Sequence, residues 1–333
     1  MAITTNTAGG PASSQIPNPI VVRNDRRADD RAFRGIVRAA GFGSLVLLFF
    51  IGLFLVLRGL PALHIMGWRF FTTSGYQTLG KHPSFGVLAS LYGSVVVALV
   101  ALAVGVPIAL TTSLFLSEYA PSWSRRTLIA LVDLAAAVPS VIYGLWGFAY
   151  LSGHMTGLAR WLSVHLAFIP IFHTTTPLYT SSQFIAGTVV GLMVVPIITS
   201  IAREVFSLAP LAEREAAMAL GASRATVIRR VVLPFGRGGL IGAVMLGLGR
   251  AMGETIAVAI ILSLSFSNPA HILQSGGTTI ASLIAIENGS GGKTLGLAAL
   301  MAAGLVLFIF TLLVNLAASR IVNRSRSAAA VEL

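Results

Sequence analysis

Apolar positions along this chain gather into six long runs, at 36–57, 87–110, 128–151, 184–202, 240–264 and 295–317. Each is long enough to cross a hydrocarbon core about 30 Å thick as a helix. A helix satisfies its own backbone hydrogen bonds, which lipid cannot do. The pattern therefore predicts an all-α, polytopic membrane protein with six transmembrane helices. A barrel would need short alternating segments, and no such segments interrupt the runs.

Between the fourth and fifth runs lies a polar, arginine-rich stretch whose centre, residues 215–234, reads EAAMALGASRATVIRRVVLP. Pro210 suits the first turn of a helix, where its missing N–H costs nothing. Residues 211–220 then read as a short helix, and Gly221 stands where a left-handed C-terminal cap is needed. Ser223 is placed to cap a second helix. On that helix Val227, Ile228, Val231 and Val232 form one apolar stripe, with Arg224, Arg229 and Arg230 elsewhere around it. Two short helices joined by a sharp turn make a compact knob. By pattern alone a solvated basic loop is the competing reading.

Composition supports the membrane assignment. Charged residues are only 10% of 333, against about 25% in soluble proteins. There is no cysteine, hence no disulfide framework and no thiolate metal site. The six histidines are scattered, and no metal site is indicated. The net charge of +12 might suggest nucleic acid, but its distribution says otherwise. Sixteen Lys and Arg flank one side of the predicted membrane: five in the tail before the first run, Arg125 and Arg126, six between Arg203 and Arg237, and Arg320, Arg324 and Arg326. Arg58, Arg69, Lys81, Arg160 and Lys293 make five on the other side. Positive residues stay in the cytoplasm, so both termini and the 215–234 stretch are predicted to be cytoplasmic, and no nucleic-acid partner is implied.

The first 35 residues read as a disordered cytoplasmic tail rather than a cleaved signal peptide, and residues 321–333 as a second tail. Trp68, Phe70 and Phe71 are expected at the outer interface, and residues 170–177 as an external turn-like segment. Residues 291–294, GGKT, resemble the end of a phosphate-binding loop, but Glu287 stands where that motif needs glycine and no strand precedes it. Gly187–Gly191 and Gly249–Gly253 are spaced for close helix packing. Pro107, Pro139 and Pro196 are expected to kink their spans.

Four ionisable residues fall inside the runs: Arg38, Asp133, Arg250 and Glu254. Arg38 is near a cytoplasmic end and can snorkel. Asp133, about 8 Å deep at 1.5 Å per residue, can reach the interface or pair with an arginine. Arg250 is about 15 Å deep, near the midplane, and Glu254 is expected one turn further out on the same helical face. An unpaired charge there costs at least ~2.5 kcal/mol, so both must face protein or a wet cavity. Either they form an internal ion pair that keeps helices in register, or Arg250 meets a translocated anion that Glu254 orients or exchanges with.

The polar stretch resembles the EAA loop of ABC-importer permeases, E-A-A-x3-G-x9-I-x-L-P. Glu215, Ala216, Ala217, Gly221, Leu233 and Pro234 match, and Val231 replaces Ile. Residues 246–258, LGLGRAMGETIAV, resemble the span-five signature of phosphate-importer permeases of the PstC type. Residues 139–147, PSVIYGLWG, resemble their span-three motif, and Arg203-Glu204-Val205-Phe206 leads into the loop as theirs does. The resemblance covers the chain from about Phe85 onward. It implies a type I ABC importer permease fold in a bacterial inner membrane and a role as the permease subunit of an ATP-driven phosphate importer. The loop would dock on a separate ATPase dimer, which binds the ATP and Mg, so that this chain holds no cofactor and is not itself an enzyme. It also implies a PstA-like sister subunit, an external phosphate-binding protein, and Arg250 and Glu254 on the substrate path. A PstA-like sister, a sulfate or molybdate permease of the same fold, and a non-transporting membrane scaffold or sensor are the alternatives. Glycine before Arg250, where PstA-type subunits usually carry alanine, favours PstC.

Overall fold

The computed structural model describes residues 28–78, 82–266, 270–288 and 294–331. The chain divides at Phe50 into two units, each described by itself. The described part of the first is the beginning of helix α1 (Ala28–Met66), with Phe33, Phe42 and Phe49 exposed, as expected of a lipid-facing surface. The tail predicted to reach residue 35 lies outside the described residues up to 27. Residues 28–35 are already helical, since no proline separates them from the apolar run to stop propagation.

The second unit, from Ile51 on, holds the rest. After α1 come α2 (Arg69–Thr72) and a two-stranded antiparallel hairpin, β1 (Ser74–Gln77) and β2 (Ser84–Val87). Helix α3 (Leu88–Leu114) ends in a π turn, Phe115–Tyr119. Then follow α4 (Ser122–Ala137), α5 (Ser140–Trp146) and α6 (Ser152–His165). Helix α7 (Gln183–Ser207) precedes α8 (Leu211–Ala219). Helix α9 (Arg224–Val227) runs through a second π turn into α10 (Leu233–Gly253). Helices α11 (Ile256–Ile261), α12 (Ile280–Glu287) and α13 (Thr294–Val331) complete the chain. Five of these helical runs are long and apolar enough to cross a membrane, and a sixth if the bent pair α4 and α5–α6 counts as one span. The all-α polytopic architecture is thus present. Helix α13 continues through the segment expected as a second tail as far as Val331.

Two spans differ from the prediction. The third is broken by 88° between Ala137 and Ser140. Pro139 is the cause, because the residue before a proline is pushed out of the helical region; Val138 sits at φ −63, ψ 128. The fifth starts in the polar stretch, runs 30 residues from Arg224 to Gly253, and stops there instead of reaching Leu264. Glu254 is extended, at φ −67, ψ 123. Glycines at 249 and 253 weaken the helix by about 1 kcal/mol each relative to alanine. Pro107 and Pro196, by contrast, lie inside unbroken helices.

The core is the seam between α3 and α7. Val97, Ala101, Val189, Val190, Met193 and Val194 are buried there. Gly187 and Gly191 let the two backbones meet: a Cβ at 191 would lie 2.8 Å from the Ala101 carbonyl oxygen, and one at 187 would lie 2.6 Å from Val100 Cβ. A second cluster joins the hairpin to α12 and α13 through Phe70, Phe85, Ile280 and Ala302. Phe70, expected at the interface, is therefore a core residue, while Trp68 and Phe71 are exposed. On the same side, residues 170–182 and 271–276 are stitched together by Ile272 N–H to Ile171 O, Ser275 N–H to Leu178 O and Gly276 N–H to Ser181 O.

Candidate functional site

The break after Gly253 opens a cleft of about 910 Å³, lined by Ile197, Gly242, Met245, Leu246, Gly249, Arg250, Gly253, Glu254, Asn315, Ala318 and Ser319. Helices α10 and α13 supply most of its wall. Irregular backbone at membrane depth is tolerated where it is buried in protein or lines a cavity, and this break borders the cleft. Gly249 and Gly253 have nothing within 4 Å of where a Cβ would stand. Unlike Gly187–Gly191, this pair packs no helix among the described residues of this chain and lines the cleft.

Arg250 and Glu254 both line the cleft but differ in environment. Arg250 is exposed. Glu254 is 8% exposed. Its Oε1 accepts a hydrogen bond from the Ala257 backbone N–H at 3.2 Å, capping the restart of the helix at α11. The helical i, i+4 relation expected between them does not hold, because Glu254 lies beyond the helix end. Among the described residues Arg250 and Glu254 form no ion pair. Asp133 is exposed and accepts only a long hydrogen bond from Ser200 Oγ, at 3.5 Å. Asn315 and Ser319, polar residues of the sixth span that counting charges overlooked, add amide and hydroxyl groups to the wall. Their signal was simply polarity at the end of an apolar run.

The polar stretch forms the second candidate surface. Gly221 has φ +84, and two bonds close the turn: Gly221 N–H to Met218 O at 2.9 Å and Ala222 N–H to Ala217 O at 3.0 Å. This is the Schellman arrangement that a left-handed glycine permits. Ser223 Oγ accepts from Thr226 N–H, capping the next helix. Pro210 precedes the first helical residue instead of occupying it. The second helix is not short; it is the beginning of span five. Val227, Ile228 and Val232 are buried and Arg224, Arg229 and Arg230 exposed. Val232 packs with Ala202, Phe206 and Ala209. Helix α8 buries no residue, and Leu211, Met218 and Leu220 are 67%, 48% and 90% exposed. Glu215 and Ala216 are exposed and Ala217 half-buried; Leu233 and Pro234 open α10. The GGKT segment lies outside the described residues except for Thr294.

Residues 105–327 match the model of the family described as binding-protein-dependent transport system inner membrane component. The chain is 39% identical over 298 residues to the phosphate transport system permease protein PstC 2 of Mycobacterium tuberculosis, covering 89% of this chain and 92% of that one. It is 37% identical over 290 residues to PstC of Xylella fastidiosa, covering 86% and 88%. Among solved structures, a bacterial ABC transporter involved in the import of the acidic polysaccharide alginate aligns with a TM-score of 0.55, at 16% identity, over 88% of this chain and 99% of that chain; that likeness concerns the fold alone. The chain belongs to the binding-protein-dependent transport system inner membrane components and, among them, to the PstC-type permeases.

Proposed function

We propose that this chain is the membrane-spanning permease subunit of an ATP-driven phosphate importer, with Arg250 and Glu254 on the anion's path. The observation that carries the site assignment is Arg250, without an ion-pair partner among the described residues, on the wall of a cleft of about 910 Å³ beside a helix break. Phosphate is an anion throughout the physiological range, and an apolar interior rejects it. A guanidinium offers several donors in a planar fork that suits phosphate oxygens. Glu254, held by the Ala257 N–H, places a carboxylate nearby that limits how tightly the anion is kept. Conduction needs binding strong enough to enter and weak enough to leave.

The chain itself carries no nucleotide chemistry in this reading. Helix α8, with its exposed Leu211, Met218 and Leu220, is the surface that docks on a partner ATPase dimer, and Glu215, Ala216, Ala217, Gly221, Leu233 and Pro234 shape it. A PstA-like sister completes the path, a phosphate-binding protein delivers from outside, and both termini are cytoplasmic. ATP-driven closure of the ATPase pair moves the knob, and the helices around α10 open outward in alternating access.

The test is radiolabelled phosphate uptake in a strain lacking this chain, restored by the wild-type gene and challenged with excess sulfate. Restored uptake that sulfate does not reduce is expected. Restored sulfate uptake without phosphate uptake overturns the phosphate assignment, and no restored transport of either favours a scaffold or sensor.

A further inference from the structure

Arg214 joins three elements through one guanidinium. It lies on α8, immediately before the EAA residues. Its Nη1 donates to both carboxylate oxygens of Glu118, at 3.0 and 3.1 Å. Its Nη2 donates to the backbone carbonyl of Phe206. Glu118 sits in the π turn that ends α3, and Phe206 in the last turn of α7, fully buried. The two ionic side chains are 16% and 13% exposed, and Arg214 Nε is buried without a partner.

The rest of α8 is loosely held. It buries no residue, and among the described residues α9 is the only element it packs against substantially. Spans two and four, which α3 and α7 form, are locked to each other along the glycine seam. A displacement of α8 therefore reaches that pair by three routes: the covalent loop through Ala209 and Pro210, the turn at Gly221 into α9 and α10, where Val232 packs on α7, and the guanidinium. The covalent routes act through α7 and α10, whereas the guanidinium also bonds α8 to the π turn at the end of α3, and a planar fork bonded at both ends fixes distance and orientation.

We propose that Arg214 is a positioning residue that transmits the movement of α8 to spans two and four, so that the Arg214–Glu118 clamp sets how much substrate moves per ATP. The proposal rests on α8 being the ATPase-docking helix. Its chemistry predicts that arginine is required for the full effect. Lysine can keep the charge pair with Glu118 but, as a single donor centre, cannot span to the Phe206 carbonyl as well.

The experiment uses the full importer, with both permease subunits, the ATPase pair and the binding protein, in proteoliposomes. Phosphate uptake and ATP hydrolysis are measured together for wild type, Arg214→Gln, Arg214→Lys and Glu118→Gln. ATPase subunits should co-purify with every variant, and hydrolysis should stay within about twofold, while phosphate moved per ATP falls about tenfold in Arg214→Gln and Glu118→Gln, a coupling loss of the usual size. Arg214→Lys should fall between these and wild type. A per-ATP yield unchanged in both Gln variants with the ATPase subunits still bound overturns the clamp alone, and so does a proportional loss of uptake and hydrolysis. Failure of the wild-type chain to bring down ATPase subunits overturns the docking reading, and the clamp with it. Glu118→Gln leaves α8 itself untouched, so the question stays decidable if Arg214 variants misfold.

Discussion

Glu254 accepts a hydrogen bond from the Ala257 backbone N–H at 3.2 Å, and Arg250, on the same cleft wall, makes no ion pair with it. The acid is engaged by the helix restart, and among the described residues Arg250 has no ion-pair partner. That arrangement supports the anion-path proposal over an internal ion pair. An internal ion pair would leave no guanidinium for an anion, whereas this arrangement leaves one exposed.

Arg250→Gln should abolish phosphate uptake while assembly with partner subunits persists. Pairing it with Glu254→Gln should not restore transport, because the glutamate's structural bond does not depend on the arginine and an amide oxygen can still accept it. Uptake by the double variant near the wild-type rate would show the arginine to be structural. Glu254→Ala should instead destabilise the restart of α11 by ~1 kcal/mol, the usual loss of a helix cap, read as a lower thermal midpoint in detergent.

Gly221→Val should fail where Gly221→Asn succeeds. No atom crowds a Cβ at this position, so the penalty is conformational: φ +84 costs an ordinary residue ~1–2 kcal/mol, and a β-branched one is worse placed still. Inserted Gly221→Val protein should lose transport-linked ATP hydrolysis. Normal transport by a well-expressed Gly221→Val variant counts against the knob.

The two glycine pairs should respond oppositely. Gly191→Leu forces α3 and α7 apart at a contact that already has no room, and inserted protein should drop sharply on immunoblots. Gly249→Ala meets open space, so insertion and thermal stability should be unchanged or slightly raised, as helix propensity favours alanine by about 1 kcal/mol. Equal loss of protein in both variants would contradict the open cleft wall.

Tyr76, on the hairpin, donates its hydroxyl to the Gly296 carbonyl at 2.9 Å. Burial, aided by the negative charge of Glu287, pushes its pKa up to about 12. The folded state thus holds this proton more tightly than the unfolded chain, whose tyrosines titrate near about 10. The associated stability is complete below the unfolded value and is lost as pH rises through the folded one. Thermal midpoints should fall more steeply with pH in that alkaline window for wild type than for Tyr76→Phe. Identical pH profiles would exclude the linkage.

The cysteine-free chain makes topology directly measurable. Ser13→Cys should resist an impermeant maleimide in intact cells, and Thr176→Cys, exposed in the segment between α6 and α7, should react. The reverse pattern would invert the orientation argued from Lys and Arg.

The sequence by itself determined the helical membrane class, the number of apolar runs and the turn and caps of the polar stretch, though not that its second helix continues into span five. Each of these is a local quantity. Transfer of a long apolar run into lipid, the φ that Gly221 must adopt, and the capping reach of Ser223 depend on residues a few positions apart. It also singled out Arg250 and Glu254, because charge in an apolar run is costly wherever the neighbours lie. Only the tertiary structure decided what those residues face. Two identical glycine spacings, at 187–191 and 249–253, became a packed seam and a cleft wall because, among the described residues, a neighbouring helix fills one space and none fills the other. The end of α10 at Gly253 coincides with a cleft that Gly253 and Glu254 line. Arg214 finds Glu118 across 96 residues of chain. Such contacts come from how helices pack, which no local spacing encodes.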